Sequence, residues 1–167
     1  MKSLKEEFLK ILTNYQGILY KVSMVYFKNK TDREDIIQEI IFQLWKSFPT
    51  LKNQNSIGSW IYAVSIHTSI AHIKKSSRIV YNESIPEIID DSNFLKDLTK
   101  FETLNELLEA IYKLDEINKS IILLYLEEKS YEEISEILGI SKSNVGVRIN
   151  RAKELLKQNL NNNNHGK

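Results

Sequence analysis

An all-α fold, arranged as two small helical domains joined by an acidic linker, is predicted by three features of the 167-residue sequence. Five Gly and two Pro among many Ile, Leu, Glu and Lys favour helices over a turn-rich β protein. Apolar side chains recur at helical spacing over most of the chain. That recurrence lapses from Ile79 to about Asp97, where Pro86 and the acidic stretch Glu87 to Asp91 stand. The expected division is a domain at 1–78, a linker at 79–97, a second domain at 98–160 and a disordered Asn-rich tail at 161–167.

Phe8, Ile11, Leu12, Tyr15, Ile18, Leu19, Val22 and Tyr26 keep a helical period, which predicts one long amphipathic helix ending near Lys30. Acidic residues interrupt the apolar positions of MKSLKEEFLKILTNY, so this start reads as neither a signal peptide nor a membrane span. No later apolar run is long enough to cross a bilayer. Zero Cys excludes disulfides and thiolate metal sites and suits a reducing compartment, so a soluble, cytoplasmic protein without membrane insertion is expected.

Thr31 or Asp32 can cap a second helix, whose first-turn Asp32, Glu34 and Asp35 complement the positive end of the helix dipole. Ile36, Ile37, Ile40, Ile41, Leu44 and Trp45 are spaced to pack on the first helix, and Pro49 ends the segment. The opposite side carries Asp32, Asp35, Gln38, Glu39 and Gln43. By charge alone this is a solvated face, and a di-metal carboxylate site is poorly supported because the Glu-x-x-His pairing of such bundles is missing.

A loop at Lys52 to Asn55 leads to Ser56 or Ser59 as the cap of a third helix, SWIYAVSIHTSIAHIKKSSR. Trp60, Ile61, Val64, Ile70 and Ile73 can face a core, whereas Tyr62, His67, His72, Lys74, Lys75 and Arg78 give the helix a wet, aromatic and basic surface. Rings among cations suit single-stranded nucleic acid, whose bases stack and whose backbone seeks positive charge. A Trp-anchored core helix with a solvated basic end explains the same residues equally well. His67 and His72 are five apart and so share no helical face as a metal pair, and His165 falls in the tail. No metal, cofactor or small-molecule substrate is expected.

Past the linker, Phe94, Leu98, Phe101, Leu104, Leu107, Leu108, Ile111 and Leu114 resume the helical period, as do Ile117, Ile121, Ile122, Leu124, Tyr125 and Leu126. These helices form a floor for Tyr131 to Leu156, YEEISEILGISKSNVGVRINRAKELL. There Ile134, Ile137, Leu138 and Ile140 form one apolar set, Gly139 stops a first helix, and Ser141 caps a second. Val145, Ile149, Ala152 and Leu156 bury one face of that second helix and leave Asn144, Val147, Arg148 and Arg151 on the other. This is a helix-turn-helix pattern, with Arg and Asn side chains whose hydrogen-bonding groups match base edges in the major groove. Arg148 and Asn144 are expected on bases, and Lys142, Arg151 and Lys153 on phosphates. An amphipathic hairpin that merely contains a glycine is the bland alternative. Gly146 departs from good helix chemistry, since a mid-helix glycine costs about 1 kcal/mol relative to alanine.

The formal charge of +1 conceals segregation: residues 1–78 carry twelve bases and six acids, 79–105 two and six, and 106–167 nine and ten. A polyanion meets the local field rather than the net charge, which favours the N-terminal unit and the last helix.

Three stretches, DREDIIQEIIFQLWKSF at Asp32 to Phe48, WIYAVSIHTSIAHIKK at Trp60 to Lys75 and SYEEISEILGISKSNVGVRINRAKELL at Ser130 to Leu156, resemble in order and spacing the extracytoplasmic-function sigma factors of bacterial RNA polymerase. The resemblance spans about Leu4 to Leu160. It implies a non-enzymatic subunit with a region 2 and a region 4, which binds polymerase core and directs it to the −10 and −35 elements of promoter DNA. It assigns Asp32, Asp35, Gln38 and Glu39 to the polymerase core, which replaces the solvated-face reading. The third helix, with Trp60, Tyr62, His67, Lys74, Lys75 and Arg78, would meet the opened downstream element. Where the family often carries Arg, Arg, Asn and Asp, this chain has Ala63, Ile66, His67 and Ala71. The upstream element would be read from Ser141, Lys142, Ser143, Asn144, Val147, Arg148, Arg151 and Lys153. An anti-sigma factor is a further partner the resemblance admits, and the acidic linker suits a path that RNA later occupies. The alternative is a stand-alone helix-turn-helix regulator that binds duplex DNA without polymerase and has no use for the third helix.

Overall fold

Ser3, Asn29, Asp115 and Ser130 each accept a backbone N–H at a helix start in the computed structural model, which describes residues 1–52, 56–79 and 98–165. Such caps satisfy donors that a first helical turn otherwise leaves unpaired. Every regular element among the described residues is helical: α1 Leu4–Tyr26, α2 Lys30–Ser47, a short 3-10 turn Phe48–Thr50, α3 Ile57–Ile79, α4 Leu98–Tyr112, α5 Glu116–Leu126, α6 Tyr131–Leu138 and α7 Lys142–His165. The chain divides into two units, Met1–Glu87 and Ile88–Lys167. Of the expected linker at 79–97, Ile79 closes α3 and 80–97 lie outside the described residues.

In the first unit α1, α2 and α3 pack against one another around Phe8, Leu19, Ile36, Ile40, Leu44, Phe48 and Ile61. Phe8 organises one end, with its ring 5.1 Å from Trp45 and 5.3 Å from Phe48. The α1–α2 corner differs from expectation. Helix α1 stops at Tyr26, and α2 is capped by Asn29, not by Thr31 or Asp32: the Asn29 Oδ1 accepts from the Asp32 N–H at 2.7 Å. Arg33 Nε donates to the Phe27 carbonyl at 2.7 Å and fixes the chain between the two helices. Pro49 lies in the 3-10 turn that follows α2, as a residue lacking a backbone N–H should.

The second unit is built on α5, whose residues Lys119, Ser120, Ile121, Ile122, Leu123 and Leu124 are all buried. A helix covered all round needs neighbours on several sides, and α4 and α7 both pack on it. Helix α7 also packs on α4 and α6, placing Val145, Ile149 and Ala152 in the same core as Ala110, Ile111, Leu114, Ile134 and Ile137. The tail at 161–167 is corrected here: α7 continues to His165, and only 166–167 lie outside the described residues. The reason is visible in two amides. Asn159 Nδ2 donates to the Ala110 carbonyl in the last turn of α4 at 3.0 Å, and Lys113 Nζ donates to Asn163 Oδ1 at 2.6 Å.

Candidate nucleic-acid interface

Helices α6 and α7 form the corner that the sequence predicts. Ser130 and Glu133 make a reciprocal capping box at the start of α6, and Gly139 ends it in the left-handed region at φ 70°. The Gly139 N–H donates to the Ser135 carbonyl at 2.9 Å. Ser141 then caps α7, its Oγ accepting from the Asn144 N–H at 3.2 Å.

Once Val145, Ile149, Ala152 and Leu156 turn inward, the rest of α7 falls into three rows set by helical spacing. Outermost are Ser143, Val147, Asn150 and Glu154, all exposed. Along one flank run Asn144, Arg148, Arg151 and Leu155. Along the other run Lys142, Gly146, Lys153 and Lys157. Arg148 is half-buried, and its Nε is buried without a hydrogen-bond partner. Asn144 and Arg151 are exposed. Two cations of the lysine flank are held by other helices: Lys142 Nζ lies 3.7 Å from Glu132 of α6, and Lys153 Nζ lies 4.7 Å from the ring centroid of Tyr125 on α5. Asn150 escaped the sequence reading. Its spacing of three from Val147 and seven from Ser143 was the signal that it shares their row.

On α3 the structure separates residues that the sequence grouped. His67, Lys74 and Lys75 are exposed and, with Ala71, mark one side of the helix. Tyr62 is corrected: it is 3% exposed, beside the buried Ile61 and Ile66, and so belongs to the core and not to a wet surface. Trp60 is half-buried, its ring 6.3 Å from Phe48 and packed on the core cluster. The Arg78 side chain lies outside the described residues. His72 sets its ring edge-on to Phe27 at 5.8 Å.

Asp32, Asp35, Gln38 and Glu39 are all exposed on α2. Asp32 accepts from Asn29 Nδ2 at 2.7 Å, and Glu39 Oε1 accepts from Gln43 Nε2 at 3.2 Å. Gln38 also borders a groove of about 580 Å³ lined by Lys5, Phe8, Leu9, Ile41, Phe42 and Trp45. Trp45 packs on α1 through the Phe8 ring, as its spacing predicts, and is still 40% exposed in this groove, where Leu9 and Phe42 are exposed to a larger extent. Among the described residues no cluster of His, Cys, Asp and Glu could hold a metal ion, and no helix is long and apolar enough to cross a membrane.

Comparison with known proteins matches both halves. Residues 11–79 match the family model for sigma-70 region 2, and residues 104–156 the model for sigma-70 region 4. The chain is similar to RNA polymerase sigma factor SigV of Bacillus subtilis, with 32% identity over 152 residues covering 89% of this chain and 88% of that one. It is also similar to the extracytoplasmic-function sigma factor SigW of the same organism, at 26% identity covering 93% and 90%. Two solved structures share the fold. The Bartonella quintana sigma factor RpoE, in complex with the anti-sigma factor NepR, gives a TM-score of 0.69 at 19% identity, covering 96% of this chain and 98% of that one. CnrH, in complex with the cytosolic domain of CnrY, gives 0.61 at 17%, covering 92% and 87%.

Proposed function

The chain belongs to the sigma factors of bacterial RNA polymerase, in the extracytoplasmic-function group, and on that premise we propose how its helices divide the work. As a sigma factor it associates with the polymerase core and directs initiation at promoters, and it needs both units on one chain to do so. The observation that carries this is the order of the two matched regions, with a three-helix unit followed by a helix-turn-helix. Sigma factors are non-enzymatic initiation factors, and we assign no catalytic residue here. Polymerase and promoter lie in the bacterial cytoplasm, which is where the chain would act.

Helix α7 enters the major groove of the upstream element. Val147 and Asn150 stand foremost, with Ser141 and Ser143 at the leading turn. Asn144 and Arg148 read base edges, and each good paired contact is worth about 1 to 3 kcal/mol of discrimination. Burial of the Arg148 Nε supports this, because a partly enclosed guanidinium has few orientations left and offers its terminal nitrogens to one base. Arg151, Lys142 and Lys153 take phosphates on either flank.

In the first unit, His67, Lys74 and Lys75 on α3 meet the opened downstream element, with Arg78 continuing the run in sequence. Trp60 contributes from the edge of the core, and Tyr62 supports the helix from inside. The exposed Asp32, Asp35, Gln38 and Glu39 form an acidic face for a basic surface on the polymerase core. An anti-sigma factor holds the Bartonella quintana neighbour, and a partner of that kind is proposed for this chain.

The test is retention of promoter DNA with and without core. A duplex selected from a randomised pool by the holoenzyme should be retained by chain plus core. Tight, sequence-specific retention by the chain alone, unaltered by core, would instead identify a stand-alone regulator.

A further inference from the structure

Lys142, Gly146, Lys153 and Lys157 define a cationic flank of α7, and its two cations with described partners are held in chemically different ways. Glu132 holds Lys142 through an exposed ion pair at 3.7 Å, so a phosphate reaches that ammonium only by displacing or sharing it with the carboxylate. Tyr125 holds Lys153 with the face of a ring, 4.7 Å from the ammonium. A ring quadrupole attracts a cation and leaves its charge intact. Tyr125 follows six buried residues of α5, yet is itself 40% exposed, so its ring is available at the surface instead of being spent in the core. Lysine carries its charge on a flexible four-carbon stem, and ordering that stem before DNA arrives removes part of the entropy lost on contact.

We infer that Tyr125 is a positioning residue for promoter binding: its ring stations Lys153 on the flank of α7, where the intact ammonium meets a DNA phosphate. This rests on the reading that α7 lies in the groove of the upstream element. Tyr125 touches no base and acts through Lys153.

The salt dependence of holoenzyme binding reads the contact directly, because each phosphate neutralised contributes about 0.9 to the slope of log affinity against log salt. The probe is the promoter duplex selected from a randomised pool by the parent holoenzyme. Lys153→Ala should lower the slope by about 0.9, so that a fourfold rise in salt weakens binding about 3.5-fold less than in the parent. Tyr125→Leu should lower it by at least half as much, Tyr125→Phe should restore the parent slope, and Tyr125→Leu with Lys153→Ala should match Lys153→Ala alone. Loss of the tyrosine as a packing residue would not produce that pattern, since a general loss of fold lowers affinity without subtracting one phosphate. A Tyr125→Leu slope equal to the parent's, while Lys153→Ala falls, overturns the positioning role and leaves the DNA reading of α7 standing. A parent slope in Lys153→Ala overturns the phosphate contact itself.

Discussion

Two glycines seven residues apart in the helix-turn-helix should respond to the same substitution with opposite signs. Gly139 sits at φ 70°, and a Cβ built there meets nothing within 4 Å. Its replacement by alanine is therefore a backbone matter alone, and the left-handed region costs an L-residue about 1 to 2 kcal/mol. Gly146 lies within α7 with no such φ, and a Cβ there comes to 3.4 Å from the Tyr131 ring, an ordinary contact with a side chain that is 51% exposed. Alanine at 146 should therefore recover most of the penalty for a mid-helix glycine, about 0.5 to 1 kcal/mol. Both tryptophans, Trp45 and Trp60, lie in the first unit, so their fluorescence does not report on this corner. Native-state hydrogen exchange of the α5–α7 amides does. Gly139→Ala should speed the most protected of those amides about 5- to 30-fold, and Gly146→Ala should slow them by up to about 5-fold. Gly139→Asn should fall between Gly139→Ala and the parent, because asparagine tolerates the left-handed region. Two effects of the same sign would refute the assignment of these backbone roles.

The other predictions concern surfaces and one strap. Asp35→Lys with Glu39→Lys should abolish co-purification with polymerase core while leaving the melting temperature nearly unchanged, since both side chains are exposed; intact core binding would return this face to solvent. Lys74→Ala with Lys75→Ala should keep core binding yet reduce permanganate reactivity of unpaired thymines on a linear promoter, with recovery on a pre-melted template. Equal reactivity on the linear template would leave α3 as scaffold. Asn159→Ala should destabilise the second unit by about 1 kcal/mol, the net value of a hydrogen bond to the Ala110 carbonyl. Unchanged exchange of the α4 amides would mean that the end of α7 is not held there.

Much of the fold was legible because periodicity reports burial directly. Ile36, Ile40 and Leu44 recur at helical spacing and are fully buried, as are Val145, Ile149 and Ala152. Caps were harder to read, because they compete locally: Asn29, Thr31 and Asp32 can all accept an N–H, and which one does depends on how Arg33 ties the corner to Phe27. Tyr62 was misread since an aromatic with a polar tip suits surface and core alike, and only the neighbouring helices decide. The Asn run at the end of α7 has the composition of a disordered tail. Its ordering comes from partners 49 and 50 residues away in sequence, which no local pattern contains. Tyr125 under Lys153 is likewise a contact between helices distant in the chain.

Run-off transcription tests the central claim most directly. Purified core polymerase, nucleotides and the pool-selected promoter should yield a discrete transcript when this chain is added and none when it is withheld, with the start site fixed by the promoter's position on the template. A chain that binds that duplex yet leaves core unable to initiate from it would contradict its assignment as a sigma factor.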